Sequence, residues 1–253
     1  MGILTLHVNG TDLETFGWIE EASAMLPLPA VRGSNLTVGQ RPGAGFIDKA
    51  TDVSVYTVVL VLGAADANAS EGDLLGKIRD IRRLLFSPDA PLTLTRSIAY
   101  NDGTVTADGL AECLPSQPAR LSPGYARWAL DFQLLEGGFY GPQQSTTLTS
   151  GGSTTVDNTG DDRTRKVTLA FSGGGPYVLT NTTTGRVLNV PAGTVTVDVW
   201  TPTVTSGGLS VLGSTSKSGD AAEAFLFALA KDNNSLSLSG GGQVVVSWQP
   251  VYL

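Results

Sequence analysis

The sequence predicts a mainly β protein with one prominent α-helix, organised as an N-terminal β-rich domain followed by a C-terminal β-sandwich. Three observations carry this. Polarity comes from Ser, Thr, Asn and 31 glycines, while charged residues are only 15% of the chain. Thr and Val suit a pleated surface and Gly punctuates it. Strong helical spacing of apolar residues occurs in one segment, whereas short alternating segments between turn-rich pieces fill the chain beyond residue 155.

In chain order, Leu4–Val8 is expected to form a strand ending at the turn signal Asn9-Gly10, and Trp18–Glu21 a second short one. Residues 27–45 carry Pro27, Pro29, Pro42 and four glycines around the extended stretch Ser34–Val38. Such a segment suits an arm or long hairpin leaving the core better than a central strand. Val53, Val55, Thr57, Val59 and Val61 alternate and predict a strand.

A helix is expected over Glu71–Phe86, where Leu74, Ile78, Ile81 and Leu85 fall on one face. Ser70 would cap it, Arg79, Arg82 and Arg83 complement the C-terminal end of its dipole, and Ser87-Pro88 stop it. Strands follow at Leu92–Ile98 and Val105–Leu114, joined through Asn101-Asp102-Gly103. Next, Trp128, Leu130, Phe132 and Leu134 alternate with Arg127, Ala129, Asp131 and Gln133, marking a strand with one buried face.

The second half should be all β, with strands at 165–171, 177–181, 187–190, 195–200, 225–229, 235–238 and 244–248. The glycine runs 173–175 and 240–242 are expected as hairpin turns. Two facing sheets would bury the apolar sides that lone strands cannot. The domains are expected at 1–141 and 156–253, with 142–155 as an uncharged Ser/Thr/Gly-rich linker. The first 141 residues hold 10 basic and 16 acidic side chains, and the remainder 6 and 7.

The net charge of −7 disfavours nucleic-acid recognition, which needs clustered Lys and Arg. The only cysteine, Cys113, has no disulfide partner, which fits a reducing cytoplasm. No signal-peptide pattern is recognisable at Met1–Val8, and no apolar stretch is long enough to insert in a membrane, so export by lysis is the expectation.

Chemistry-bearing residues are sparse. His7, the only histidine, lies between Leu6 and Val8 and reads as a strand residue, not a base with an organised partner. That argues against both a Ser–His hydrolase and a His-based metal site. Cys113 reads as a small buried side chain. The glycine runs lack the Lys-Ser/Thr and following helix of a phosphate loop. Asp161-Asp162 reads as an exposed turn, since a calcium loop needs several spaced oxygen ligands. The helix arginines read as a solvated or interfacial face. No catalytic, metal or cofactor site is expected. Trp200 shares its strand face with Asp198, and an aromatic beside a carboxylate is a candidate glycan contact; strand-end packing is the alternative. Trp248, in phase with Val244 and Val246, should be core.

Several short motifs, in order, then carry a family resemblance. They are Asn9-Gly10, the arm with Arg32-Gly33, the strand–helix pair, Phe139-Tyr140-Gly141, Asn158-Thr159-Gly160-Asp161, Leu179-Thr180-Asn181, Val197-Asp198, 225–229, 234–238 and the close at Trp248–Leu253. Over nearly the whole chain this resembles the distal tail proteins of long-tailed siphophages. The resemblance implies a structural virion protein with an N-terminal ring-forming domain and a galectin-like C-terminal β-sandwich projecting outward. It implies a homo-hexameric ring joining the tail tube protein to a tip, hub or tail-associated lysin protein. The tape-measure and receptor-binding proteins are further candidate neighbours. The location implied is the virion tail tip, assembled in the host bacterial cytoplasm. The arm at 27–45, with Arg32 and Arg41, is similar to the family's inter-subunit belt. One departure is visible: the family's aliphatic-Gly-Asn element appears as Ala230-Lys231-Asp232-Asn233-Asn234, which leaves the local turn open.

Two other functions stay open at this stage. A carbohydrate-binding module for host-surface glycans would use Trp200. A cell-wall glycosidase would use an acid pair and needs no histidine.

Overall fold

The structure, a computed structural model, describes residues 4–20, 55–63, 71–86, 91–100, 103–218 and 227–252. The chain divides into two compact units, with the change between Tyr140 and Gly141. The expected arm at 27–45 with Arg32 and Arg41, the Ser70 cap, the Ser87-Pro88 stop, Asn101-Asp102 and Phe225 lie outside the described residues.

The N-terminal unit opens with β1 (Leu4–Val8) and β2 (Thr11–Asp12), then a 3-10 turn at Leu13–Thr15 and β3 (Trp18–Ile19). Asn9 and Gly10 both take positive φ, 48° and 78°, between the paired residues Val8 and Thr11. That is the two-residue hairpin geometry whose twist matches its strands. Next come β4 (Val55–Gly63), α1 (Glu71–Leu85), β5 (Leu92–Tyr100), β6 (Gly103–Cys113), β7 (Ala119–Ser122), β8 (Tyr125–Leu134) and β9 (Phe139–Tyr140). An antiparallel sheet runs β2-β1-β5-β6-β8-β4-β3, with β7 added beside β8.

Trp128, Leu130, Phe132 and Leu134 are buried, as their alternation predicts. They share the interior with Leu6, Tyr56, Leu60 and Leu94. Arg96 on β5 lies over the rings of Tyr56 on β4 and Phe139, at 5.8 and 4.3 Å from their centroids. Since β6 and β8 separate β5 from β4 in the sheet, this contact shows that the sheet curls. Burial pushes the Tyr56 hydroxyl up to about 12, opposed by the Arg96 cation beside it.

The helix lies on β4 through the buried face Leu74, Ile81 and Leu85, with Ile78 half-buried. On β4, Val59 and Val61 are buried together with Val58, Leu60 and Leu62, so this strand is covered on both faces. The alternation of its valines reflects one face only; the near-continuous apolar run reflects both. Lys77 Nζ donates to the Gly63 carbonyl at 3.1 Å, and Arg120 pairs with Glu71 at 2.7 Å. The second pair is half exposed and contributes little stability.

The C-terminal unit consists of β10 (Gln144–Thr149), β11 (Ser153–Asn158), β12 (Val167–Asn181), β13 (Arg186–Val190), β14 (Val195–Asp198), β15 (Thr203–Ser206), β16 (Leu209–Ser210), β17 (Ser216–Ser218), β18 (Asp232–Trp248) and β19 (Val251–Tyr252). Several expectations are corrected. The stretch 142–155 is not a linker: β10 and β11 both pair with β18, along its second and first halves respectively. Low charge and Ser/Thr richness suit an edge strand as well as a tether. The paired expectations 165–171 with 177–181, and 235–238 with 244–248, are each one long strand. Among the described residues of 225–229, Phe227 and Leu229 are buried, but only an isolated bridge from Leu229 to Thr164 forms.

The glycine runs are not hairpin turns. They face each other inside β12 and β18, with Gly174 opposite Gly241 and a register shift between Gly174 and Val178. All six glycines have positive φ. A Cβ on Gly240 would lie 1.8 Å from the Pro176 oxygen, and one on Gly242 would lie 2.2 Å from the Ser172 oxygen. Both long strands therefore kink together. Beyond the kink, β12 changes neighbour from β14 to β13. Tyr177 secures the corner: its hydroxyl donates to the Gly193 carbonyl at 2.8 Å and accepts from Gly174 N at 3.1 Å. Side chains from both halves, including Leu169, Phe171, Leu179, Leu188, Val197, Leu238 and Val246, share one core. Full burial of each aliphatic or aromatic side chain contributes about 1.5–3 kcal/mol. The sheet thus folds over into a sandwich-like arrangement.

The turn at Ala230–Asn234 is built without glycine. Asp232 takes φ 62°, and the buried Asn234 side chain clamps it. Its Oδ1 accepts from Ala230 N and Asn181 Nδ2, both at 2.9 Å. Its Nδ2 donates to the carbonyls of Ala230 and Asp232, also at 2.9 Å.

Candidate functional site

Strand ends converge at one end of the C-terminal unit. The starts of β10 and β12 and the ends of β14 and β18 meet there because all neighbouring pairs are antiparallel. Thr168 is opposite both Asp198 and Ser247, and Trp248 is opposite both Gln144 and Val167. A depression of about 220 Å³ opens here, lined by Lys166, Thr168, Asp198, Trp200, Ser247 and Trp248. Gln143 and Gln249 flank it.

Trp200 is 38% exposed, while Val195, Val197 and Val199 are buried. The strand itself ends earlier than 200, because Asp198 turns the chain. Asp198 Oδ1 accepts from Trp200 N at 2.9 Å and Thr201 N at 3.1 Å, and Oδ2 accepts from Thr201 Oγ1 at 2.7 Å. This local turn presents the indole. The Lys166 ammonium stands 5.6 Å from the Trp200 ring centroid, within range of a cation–π attraction.

Trp248 is buried, as expected of a core residue, yet its Nε1 has no hydrogen-bond partner. A buried donor left unpaired costs about 1–3 kcal/mol. Parity identifies Thr168 and Ser247 as outward-facing, but nothing in the sequence brings Lys166, Gln143 and Gln249 to Trp200.

The other sequence candidates are placed as follows. His7 is half-buried on β1, opposite Asp12 and Thr95. Cys113 is half-buried, and burial, with the Asp131 carboxylate adding to it, pushes its thiol up to about 12. Asp162 Oδ1 accepts from Arg163 N within the 158–164 turn. Arg79 pairs with Asp80, and Arg82 donates to Gln117. Among the described residues, no group of three or more His, Cys, Asp or Glu side chains could hold a metal ion. No described helix is long and apolar enough to cross a membrane.

The curled sheet bearing one helix and the kinked sandwich make up a fold that this chain shares with a solved phage protein. In particular, the chain is similar to the Dit protein (gp 19.1) of phage SPP1, with a TM-score of 0.62 and 18% identity over 98% of this chain and 99% of that one. That protein is described as a paradigm of the hub adsorption apparatus in phages infecting Gram-positive bacteria. At this identity the likeness concerns the fold. The phage p2 baseplate in its activated conformation with Sr overlaps at TM-score 0.37 and 9% identity over 98% of both chains. The corresponding structure with Ca overlaps at TM-score 0.33 and 9% identity over 78% of both chains. No protein-family model and no curated protein matches the sequence.

Proposed function

We propose that this chain is a structural, non-enzymatic protein of a phage tail tip, acting as a ring-forming adaptor between the tail tube and the tip or hub protein. The observation that carries the reading is the fold likeness to the SPP1 hub protein along essentially the full length of both chains. Residues 1–141 build a homo-hexameric ring, and the arm at 27–45, with Arg32 and Arg41, reaches a neighbouring subunit. The galectin-like sandwich, which includes β10 and β11 and so begins near residue 144, faces outward. The tail-associated lysin, tape-measure and receptor-binding proteins are the further neighbours in this reading, and assembly takes place in the host bacterial cytoplasm. A ring fits the chain chemically: closed cyclic assemblies use head-to-tail surfaces and need no cofactor.

Light scattering and electron microscopy of the purified full-length chain test the proposal. The expected result is ring-shaped particles of six times the 26.2 kDa chain mass. A stable monomer at high concentration overturns it.

A further inference from the structure

We propose that the depression beside Trp200 is a carbohydrate subsite that takes a single pyranose ring. The proposal goes beyond the tail-ring reading and does not depend on it. The volume of about 220 Å³ lies below the roughly 300–1,000 Å³ of sites for drug-sized ligands, which fits one small ring.

The wall chemistry selects the ligand class. A pyranose has apolar C–H faces and a rim of hydroxyls, each both donor and acceptor. Trp200 offers a partly exposed aromatic face for the first. The Gln143 carboxamide, the Gln249 amide oxygen (its Nε2 donates to the Gly141 carbonyl), the Thr168 and Ser247 hydroxyls and the Lys166 ammonium supply mixed donors and acceptors for the second. A purely anionic ligand would want several cations, whereas the lining holds one lysine beside one aspartate. A purely apolar ligand would leave this polar rim unpaired.

Two features sharpen the assignment. The Asp198 carboxylate is engaged by the turn that displays the indole, so its role is to position Trp200. The buried Trp248 Nε1, without an acceptor, lies in a side chain that lines the same depression. A hydroxyl oxygen is the kind of group that accepts from it.

The test uses the full-length protein on an array of oligosaccharides built from hexoses, deoxyhexoses and N-acetylhexosamines, followed by titration of each positive glycan. The expected result is saturable binding to a subset, weakened about tenfold in Trp200→Ala through loss of ring stacking. Gln143→Ala should also weaken binding, with the thermal transition of both variants unchanged. If Trp200→Ala does not fold, Gln143→Ala and Lys166→Ala decide the outcome. Absence of glycan binding by the native chain, or folded variants that bind as tightly as the native chain, overturns the proposal. Light scattering on the same samples separates the two readings. A hexamer that binds no glycan overturns only the subsite, and a monomer that binds glycan overturns only the ring.

Discussion

Cys113 shows how a reactive group is silenced by its surroundings. A thiol must lose its proton to attack, and burial next to the Asp131 carboxylate opposes that charge. With its pKa raised from 9.0 to about 12, thiolate at pH 8 is about a thousandfold scarcer than in a free cysteine. Alkylation by iodoacetamide at pH 8 is therefore expected to be slow in the native protein and fast in denaturant; equal rates would contradict the burial. Asn234 acts in the opposite sense, as a residue whose full hydrogen-bonding capacity is used. Asn234→Ala leaves Asn181 Nδ2, Ala230 N and the Asp232 carbonyl short of partners, while the Ala230 carbonyl keeps Asn158 Nδ2. A loss of about 2–4 kcal/mol in the C-terminal unit is expected in urea unfolding, since unpaired buried groups carry their full desolvation cost. A loss below about 0.5 kcal/mol would show that water replaces the clamp.

At the scale of elements, the paired kinks in β12 and β18 separate two kinds of glycine. Gly240 needs both its φ of 96° and its missing Cβ, because the Pro176 carbonyl occupies the place a side chain would take. Gly240→Ala is expected to destabilise by more than about 3 kcal/mol or to prevent folding, read by circular dichroism and thermal melting. Gly76, inside α1, meets nothing within 4 Å of a built Cβ. Gly76→Ala is expected to stabilise by roughly 0.5–1 kcal/mol through helix propensity and reduced unfolded-state entropy. The contrast is legible only in three dimensions, since neither the φ of Gly240 nor the carbonyl beside it can be read from the sequence. Local periodicity did locate α1, β1 and β8, because each has one buried face. It missed that β12 and β18 are continuous, because a glycine run looks the same in a hairpin turn and in a kinked strand.

For the whole molecule, the N-terminal unit presents a curled sheet backed by one helix, and the C-terminal unit a sheet folded over its own core. In the proposed ring the arm at 27–45 supplies part of the contact between copies. Its deletion is expected to shift the particle mass from hexamer toward monomer while circular dichroism retains the β signal. An intact ring from the deleted chain would refute the arm's role. The proposed glycan subsite lies on strand ends of the C-terminal unit alone.

By itself the sequence determined the mainly β class, the prominent helix, and the buried faces of β1 and β8. Each of these follows from spacing along the chain, since a side chain's face is set by helical or strand period alone. Only the tertiary structure decided that 142–155 pairs along β18, that the two glycine runs meet, and that Lys166, Thr168, Ser247 and Gln249 gather around Trp200. Those facts depend on which strands become neighbours and in what register. Register arises from long-range packing between segments tens of residues apart, which local period does not encode.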